Sequence, residues 1–110
     1  MEEKLIRMEG EKYNKLVRDK IPEILSAKGI CWEELRTASL EEYKEELIKK
    51  LGEEAAEFGI EPFLEELADV IEVIETLKKL PEYENVEELR LKKREERGGF
   101  EKRIILKGTK

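Results

Sequence analysis

LEEYKEELIKKLGEEAAEFGIEPFLEELADVIEVIETLKKLP, residues 40–81, carries the pattern on which the fold turns. Just before it, Ser39 stands three residues ahead of Glu42 in a capping-box arrangement. Behind that cap Leu40, Tyr43, Leu47, Leu51, Ala55 and Phe58 recur at helical spacing, which predicts a helix from Leu40 to Phe58 stopped at Gly59. Pro62 suits a first helical turn, so a second long helix is predicted from Pro62 to Lys79, ended by Pro81. Two long helices joined by a short turn form an antiparallel hairpin. The second is apolar over a wide arc: Phe63, Leu64, Leu67, Ala68, Val70, Ile71, Val73, Ile74 and Leu77. One partner helix cannot cover that arc. The expectation is an all-α fold with a four-helix-bundle core, completed by dimerisation.

Outward from the hairpin the signals weaken. Asp19 is expected to cap a short helix over Lys20 to Ala27, with Pro22 in its first turn and Gly29 at its end. Ile30 to Thr37 reads as an irregular connection. A further helix is predicted over Val86 to Glu96, stopped by Gly98-Gly99. The two ends read as short extended segments: a strand or arm in Met1–Lys12, and a strand in Phe100–Leu106 around Ile104-Ile105. With 110 residues the chain has room for one domain, 1–110, and a core too small to enclose a large substrate alone.

Composition removes several chemistries. There is no histidine, hence no Ser-His-Asp or Cys-His catalysis and no histidine-ligated zinc. Cys31 is the only cysteine and has no intrachain partner. With no signal peptide and no apolar run long enough to span a bilayer, a cytoplasmic protein is expected, with no membrane partner. A net charge of −6 argues against binding a nucleic-acid polymer. Glutamine is absent, asparagine occurs only at Asn14 and Asn85, and Lys and Glu dominate the charges, a composition that leans towards a thermophile.

E-x-x-E spacing says little in so glutamate-rich a chain, since Glu42/Glu45, Glu72/Glu75 and Glu84/Glu87 share it. Helical phase separates the pairs, at about 100° per residue. With Leu51 as origin, the apolar stripe of the first helix runs from about −80° to about +40°; Glu54 lies inside it at about −60° and Glu57 borders it at about −120°. On the second helix, with Leu67 as origin, Glu66 at about −100° lies between Leu77 and Val73, and Asp69 borders the same side at about −160°. Glu65, Glu72 and Thr76 fall on the polar face. Four carboxylates gathered inside a bundle would repel one another and bear a desolvation cost, which divalent cations relieve. Oxygen donors alone favour Mg²⁺, or Mn²⁺, over zinc. The competing reading pairs Glu54 and Glu66 with lysines at the buried edge, such as Lys50.

The densest basic cluster is Lys93, Arg94, Arg97, Lys102 and Arg103, beside Gly98-Gly99, whose backbone N–H groups could approach an anion. Lys15, Arg18 and Lys20 form another. Trp32, Tyr13 and Phe100 are candidates to stack on a base or to pack in a core or interface.

KLGEEAAEF (residues 50–58) followed by EELADVIEVIETL (residues 65–77) resembles the MazG-like superfamily of all-α nucleoside triphosphate pyrophosphohydrolases, which also holds phosphoribosyl-ATP pyrophosphohydrolase and the dimeric dUTPases. Its E-x-x-E and E-x-x-D motifs fall here on Glu54/Glu57 and Glu66/Asp69. YNKLVRDKIPEIL (13–25) and KREERGGFEKRIIL (93–106) look like a subgroup of predicted house-cleaning enzymes. The resemblance implies Mg²⁺-dependent hydrolysis of a non-standard nucleotide between the α- and β-phosphates, yielding a nucleoside monophosphate and pyrophosphate. It also implies a homodimer or homotetramer. It favours Lys15, Arg18, Lys93 and Arg97 as phosphate ligands, and Glu53 is the candidate general base or further ligand, although its predicted angle points it away from the stripe. Two other readings stand beside this one: phosphoribosyl-ATP hydrolysis, and a non-catalytic helical module that dimerises through its apolar faces.

Overall fold

A computed structural model of the chain describes residues 14–109; the arm expected in Met1–Lys12 and the side chain of Tyr13 lie outside the described residues. Within that range the chain is helical, with α1 (Ile21–Ala27), α2 (Leu40–Ile60), α3 (Leu64–Leu77), a 3₁₀ turn (Pro81–Tyr83) and α4 (Val86–Arg97). It divides into two compact units, the first ending at Leu77 and the second beginning at Lys78. No helix is long and apolar enough to cross a membrane among the described residues.

The first unit is built on the α2–α3 hairpin, whose helices pack along one another. Ser39 opens α2 in extended backbone, and its Oγ accepts from the Glu42 N–H at 3.2 Å. Only this half of the capping box is made by these two residues, because the Glu42 carboxylate is held by both terminal nitrogens of Arg36 at 2.7 Å. Gly59 does not stop the helix, and α2 continues to Ile60. The true stop is Pro62. The Phe63 N–H donates to the Glu61 carbonyl at 2.8 Å across it, closing a three-residue turn that a proline's fixed φ suits. Phe63 then offers its carbonyl to the Leu67 N–H at 3.1 Å, and α3 starts at Leu64 rather than at Pro62. It ends at Leu77, short of the expected Lys79.

Exposure along the hairpin follows the helical repeat. On α2 the less exposed positions are Glu42, Tyr43, Lys44, Glu46, Leu47, Lys50, Leu51, Glu54, Glu57 and Phe58, and all but Glu42 form one continuous stripe. On α3 they are Glu66, Asp69, Val70, Val73, Thr76 and Leu77. Leu47 is the most enclosed side chain, 3% exposed, and Val73 and Leu25 are also buried. Leu67, Ile71 and Ile74 lie on the other side of α3 and are 41–49% exposed. The wide apolar arc of α3 is thus covered along one edge only.

Before the hairpin, α1 begins at Ile21 with Lys20, not Asp19, as its N-cap, and no side chain caps it. A capping side chain would serve the N–H groups of the second or third helical residue, and the second is Pro22, which has none. The other end closes as a Schellman motif: Gly29, at φ +77°, donates to the Ser26 carbonyl, and Ile30 to the Leu25 carbonyl, both at 3.0 Å.

In the second unit α4 runs one residue past its expected end, and Gly98 stops it at φ +84° with its N–H on the Arg94 carbonyl at 2.8 Å. Glu87, near the start of α4, receives Arg90 Nε at 2.9 Å and Lys78 Nζ at 3.3 Å. These cations hold its carboxyl far down, at about 2, the Arg90 hydrogen bond being the largest cause. The strand expected over Phe100–Leu106 does not form. The chain turns at Phe100–Arg103, where the Arg103 N–H meets the Phe100 carbonyl at 3.1 Å, and no strand is present among the described residues. Ile104, Ile105 and Leu106 are exposed, so β propensity here has neither a partner strand nor an apolar surface to act upon.

Candidate functional site

A soluble hairpin normally turns its acids outward, since burying an ionised carboxylate costs several kcal/mol unless it is paired. This hairpin turns five of them, Glu46, Glu54, Glu57, Glu66 and Asp69, into its covered stripes. Glu54 on α2 is 7% exposed and Asp69 on α3 is 8% exposed, the two buried charged residues among those described. Glu57 and Glu66, three residues from each, are half-buried. Glu53, Glu65, Glu72 and Glu75 lie on the exposed faces. Glu46 shares the α2 stripe at intermediate exposure, so it is depth of burial that sets Glu54 and Asp69 apart.

Two basic side chains accompany the buried acids. Arg18 reaches from the segment before α1 and places Nη2 2.7 Å from Asp69 Oδ1; its side chain is 46% exposed and that of Asp69 10%. Lys50 Nζ lies 3.9 Å from Glu54 Oε1, one turn back on α2. The Lys50 partnership weighed in the sequence is thus present for Glu54. The Arg18 contact spans 51 positions of chain and has no local signature.

The same N-terminal segment crosses α2. Lys15 and Leu16 line a shallow depression with Glu46, Lys49, Lys50 and Glu53, so the structure brings Lys15 and Glu53 to one place. Lys49, unlike Lys50, has no place in the sequence reading, although its i,i+4 relation to Glu53 was a usable signal. The depression encloses about 20 Å³, room for a water molecule and far below the several hundred Å³ of a nucleotide site.

Lys93 and Arg97 lie on α4 in the second unit and are exposed. The Gly98-Gly99 corner is not laid out as an anion cradle. The Gly98 N–H is spent on closing α4, and the Arg94 side chain lies across Gly99, where an added Cβ would collide with its guanidinium and with Glu101. Arg94 Nη2 meets Glu101 Oε1 at 2.7 Å, which holds the Glu101 carboxyl below its ordinary range. Phe100 is 96% exposed and packs in no core of this chain; Trp32 is 43% exposed.

The donor set suits a hard divalent cation: four carboxylates, no imidazole and no thiolate. Among the described residues no three acidic or thiol side chains are drawn together as a ligand group. The positive charge beside the two most buried acids is supplied by Arg18 and Lys50. No family model, curated protein or solved structure matches the chain.

Proposed function

We propose that this chain is a Mg²⁺-dependent nucleoside triphosphate pyrophosphohydrolase, cleaving a non-standard nucleotide between its α- and β-phosphates. The observation that carries the reading is the paired burial of Glu54 and Asp69, with Glu57 and Glu66 beside them, on two packed helices. Glu54, Glu57, Glu66 and Asp69 would hold Mg²⁺, with Mn²⁺ as a substitute. When bound, the ion supplies Lewis acidity and offsets charge on the phosphate oxygens.

The remaining work falls to the chain itself. Glu53 is solvated and shares its depression with Lys15, a setting in which it can take a proton from an attacking water while Lys15 meets a phosphate. Arg18 supplies a further cation for the triphosphate. The base pocket requires more wall than the first unit offers. The uncovered side of α3, with Leu67, Ile71 and Ile74, supports a dimer that completes a four-helix bundle and encloses the nucleotide.

The test is pyrophosphate release from purified protein with a panel of nucleoside triphosphates and phosphoribosyl-ATP, with and without Mg²⁺. Metal-dependent release from one member supports the proposal and names the substrate. Absence of release from every member at every metal concentration removes it. A second reading has its own support: the Arg18–Asp69 and Lys50–Glu54 ion pairs satisfy the two most buried acids with protein cations, as a non-catalytic helical module that dimerises would need. That reading predicts an oligomer with no hydrolysis, whose carboxylates are surface charges or hold a structural ion.

A further inference from the structure

Arg18 is drawn to the site by geometry rather than by composition. Its guanidinium crosses from the segment before α1 to the nine-tenths-buried Asp69 on α3, while nearly half of the Arg18 side chain stays in water. A buried carboxylate needs a positive partner, and a half-solvated arginine can leave one at modest cost. Lys50 stands in a different relation to Glu54: it sits on the same helix, its side chain is 20% exposed, and its nitrogen is 3.9 Å away.

We infer that Arg18 is the resident counter-ion of Asp69, competing with a divalent cation for that carboxylate and positioning it in the metal-free protein. The inference rests on the metal-site reading given above. Arg18 occupies Asp69 Oδ1, and a divalent cation held by that carboxylate would draw on the same charge. Occupancy by one weakens the other, a negative coupling that is reciprocal by linkage. Arg18 is a positioning residue here, acting through Asp69. Released from the carboxylate, its planar fork is left with five donors for an anion.

The test titrates Mn²⁺ alone into full-length protein, reading bound ion by the loss of its free paramagnetic resonance signal. Arg18→Gln is compared with wild type and with Lys20→Gln, which removes an equal charge from the solvated neighbour. The expected result is tighter Mn²⁺ binding in Arg18→Gln by about ten-fold, within the usual range of site-to-site coupling. Lys20→Gln should move it by less than about two-fold, because salt screens a solvated charge. Arg18→Lys keeps the charge without the fork and falls between, which maintains the test should Arg18→Gln lose helicity. Equal affinity in wild type, Arg18→Gln and Arg18→Lys overturns the competition while leaving the metal site standing. An equal gain in Arg18→Gln and Lys20→Gln also overturns it, by reducing the effect to net charge. No Mn²⁺ binding in any of these proteins overturns it together with the metal reading.

Discussion

Asp69→Asn separates the structural role of the most telling carboxylate from its proposed chemical one. The side chain keeps its shape and one acceptor oxygen, and loses its charge. Without divalent ions the variant weakens the Arg18 contact at 2.7 Å. Breaking a wholly buried pair costs about 3–5 kcal/mol, whereas exposed pairs are worth about 0.2–1 kcal/mol. With the arginine 46% exposed the contact lies between these limits, and amide replacement should cost about 1 kcal/mol. Excess Mg²⁺ changes the comparison. At about one hundred times its dissociation constant, an ion that binds only the folded state adds about 2.7 kcal/mol to the wild type. The variant, lacking a ligand, should gain little, so the gap between the two widens to about 3–4 kcal/mol. Urea unfolding followed by far-ultraviolet circular dichroism, at one protein concentration in chelator and in excess Mg²⁺, measures both gaps. Equal stabilisation of wild type and variant by Mg²⁺ would mean that Asp69 holds no ion.

Other consequences follow from the rest of the fold. Leu47→Ala opens a void at the most enclosed position and should lower stability by about 2–3 kcal/mol in the same unfolding assay; a change below about 1 kcal/mol would mean that α2 and α3 do not meet there. Glu87 titrates at about 2, below its ordinary 4.5, because Arg90 and then Lys78 hold it charged. A lowered carboxyl pKa contributes stability that is complete above 4.5 and is lost as pH falls from 4.5 towards 2. Glu42 and Glu101, lowered by Arg36 and Arg94, act with the same sign. Acid unfolding should therefore begin below pH 4.5 and be shallower in Glu87→Gln; superimposable acid profiles would contradict the assignment. Ile71→Lys places a charge on the uncovered face of α3 and should convert a dimer to monomer in sedimentation equilibrium; a wild type that is monomeric at all concentrations removes the bundle-completing interface.

The hairpin was legible because periodicity and local punctuation act within a few residues of one another. Ser39 did cap α2, and Pro62 did break the chain between the helices. Gly59 misled, since a glycine inside a helix costs only about 1 kcal/mol and terminates nothing unless its φ turns positive. The burial of Glu54 was legible on α2, where one covered stripe fixes the phase. On α3 the order came out reversed: Glu66 was placed inside the band and Asp69 at its border, yet Asp69 is the buried one. Angles counted from Leu67 do not say which edge of the band is covered, and α2 covers the edge that runs through Asp69 and Val73. An arc so wide has no centre until its neighbour is known. Arg18–Asp69 was illegible for a related reason, since a contact across 51 positions depends on how the leading segment crosses the hairpin. The terminal strand failed because β propensity at Ile104-Ile105 is a statement about fitting a sheet, and no sheet is present among the described residues.

The central claim is that the buried carboxylates of the hairpin serve phosphate chemistry. Its most direct test measures products from the preferred nucleotide for wild type, Glu54→Gln and Asp69→Asn side by side, with helicity checked in each. Nucleoside monophosphate and pyrophosphate should form in equal amounts from the wild type only when Mg²⁺ is present. Both variants should lose at least about one hundred-fold in rate at unchanged helix content. Wild-type rates in both variants would mean that these carboxylates take no part in the reaction.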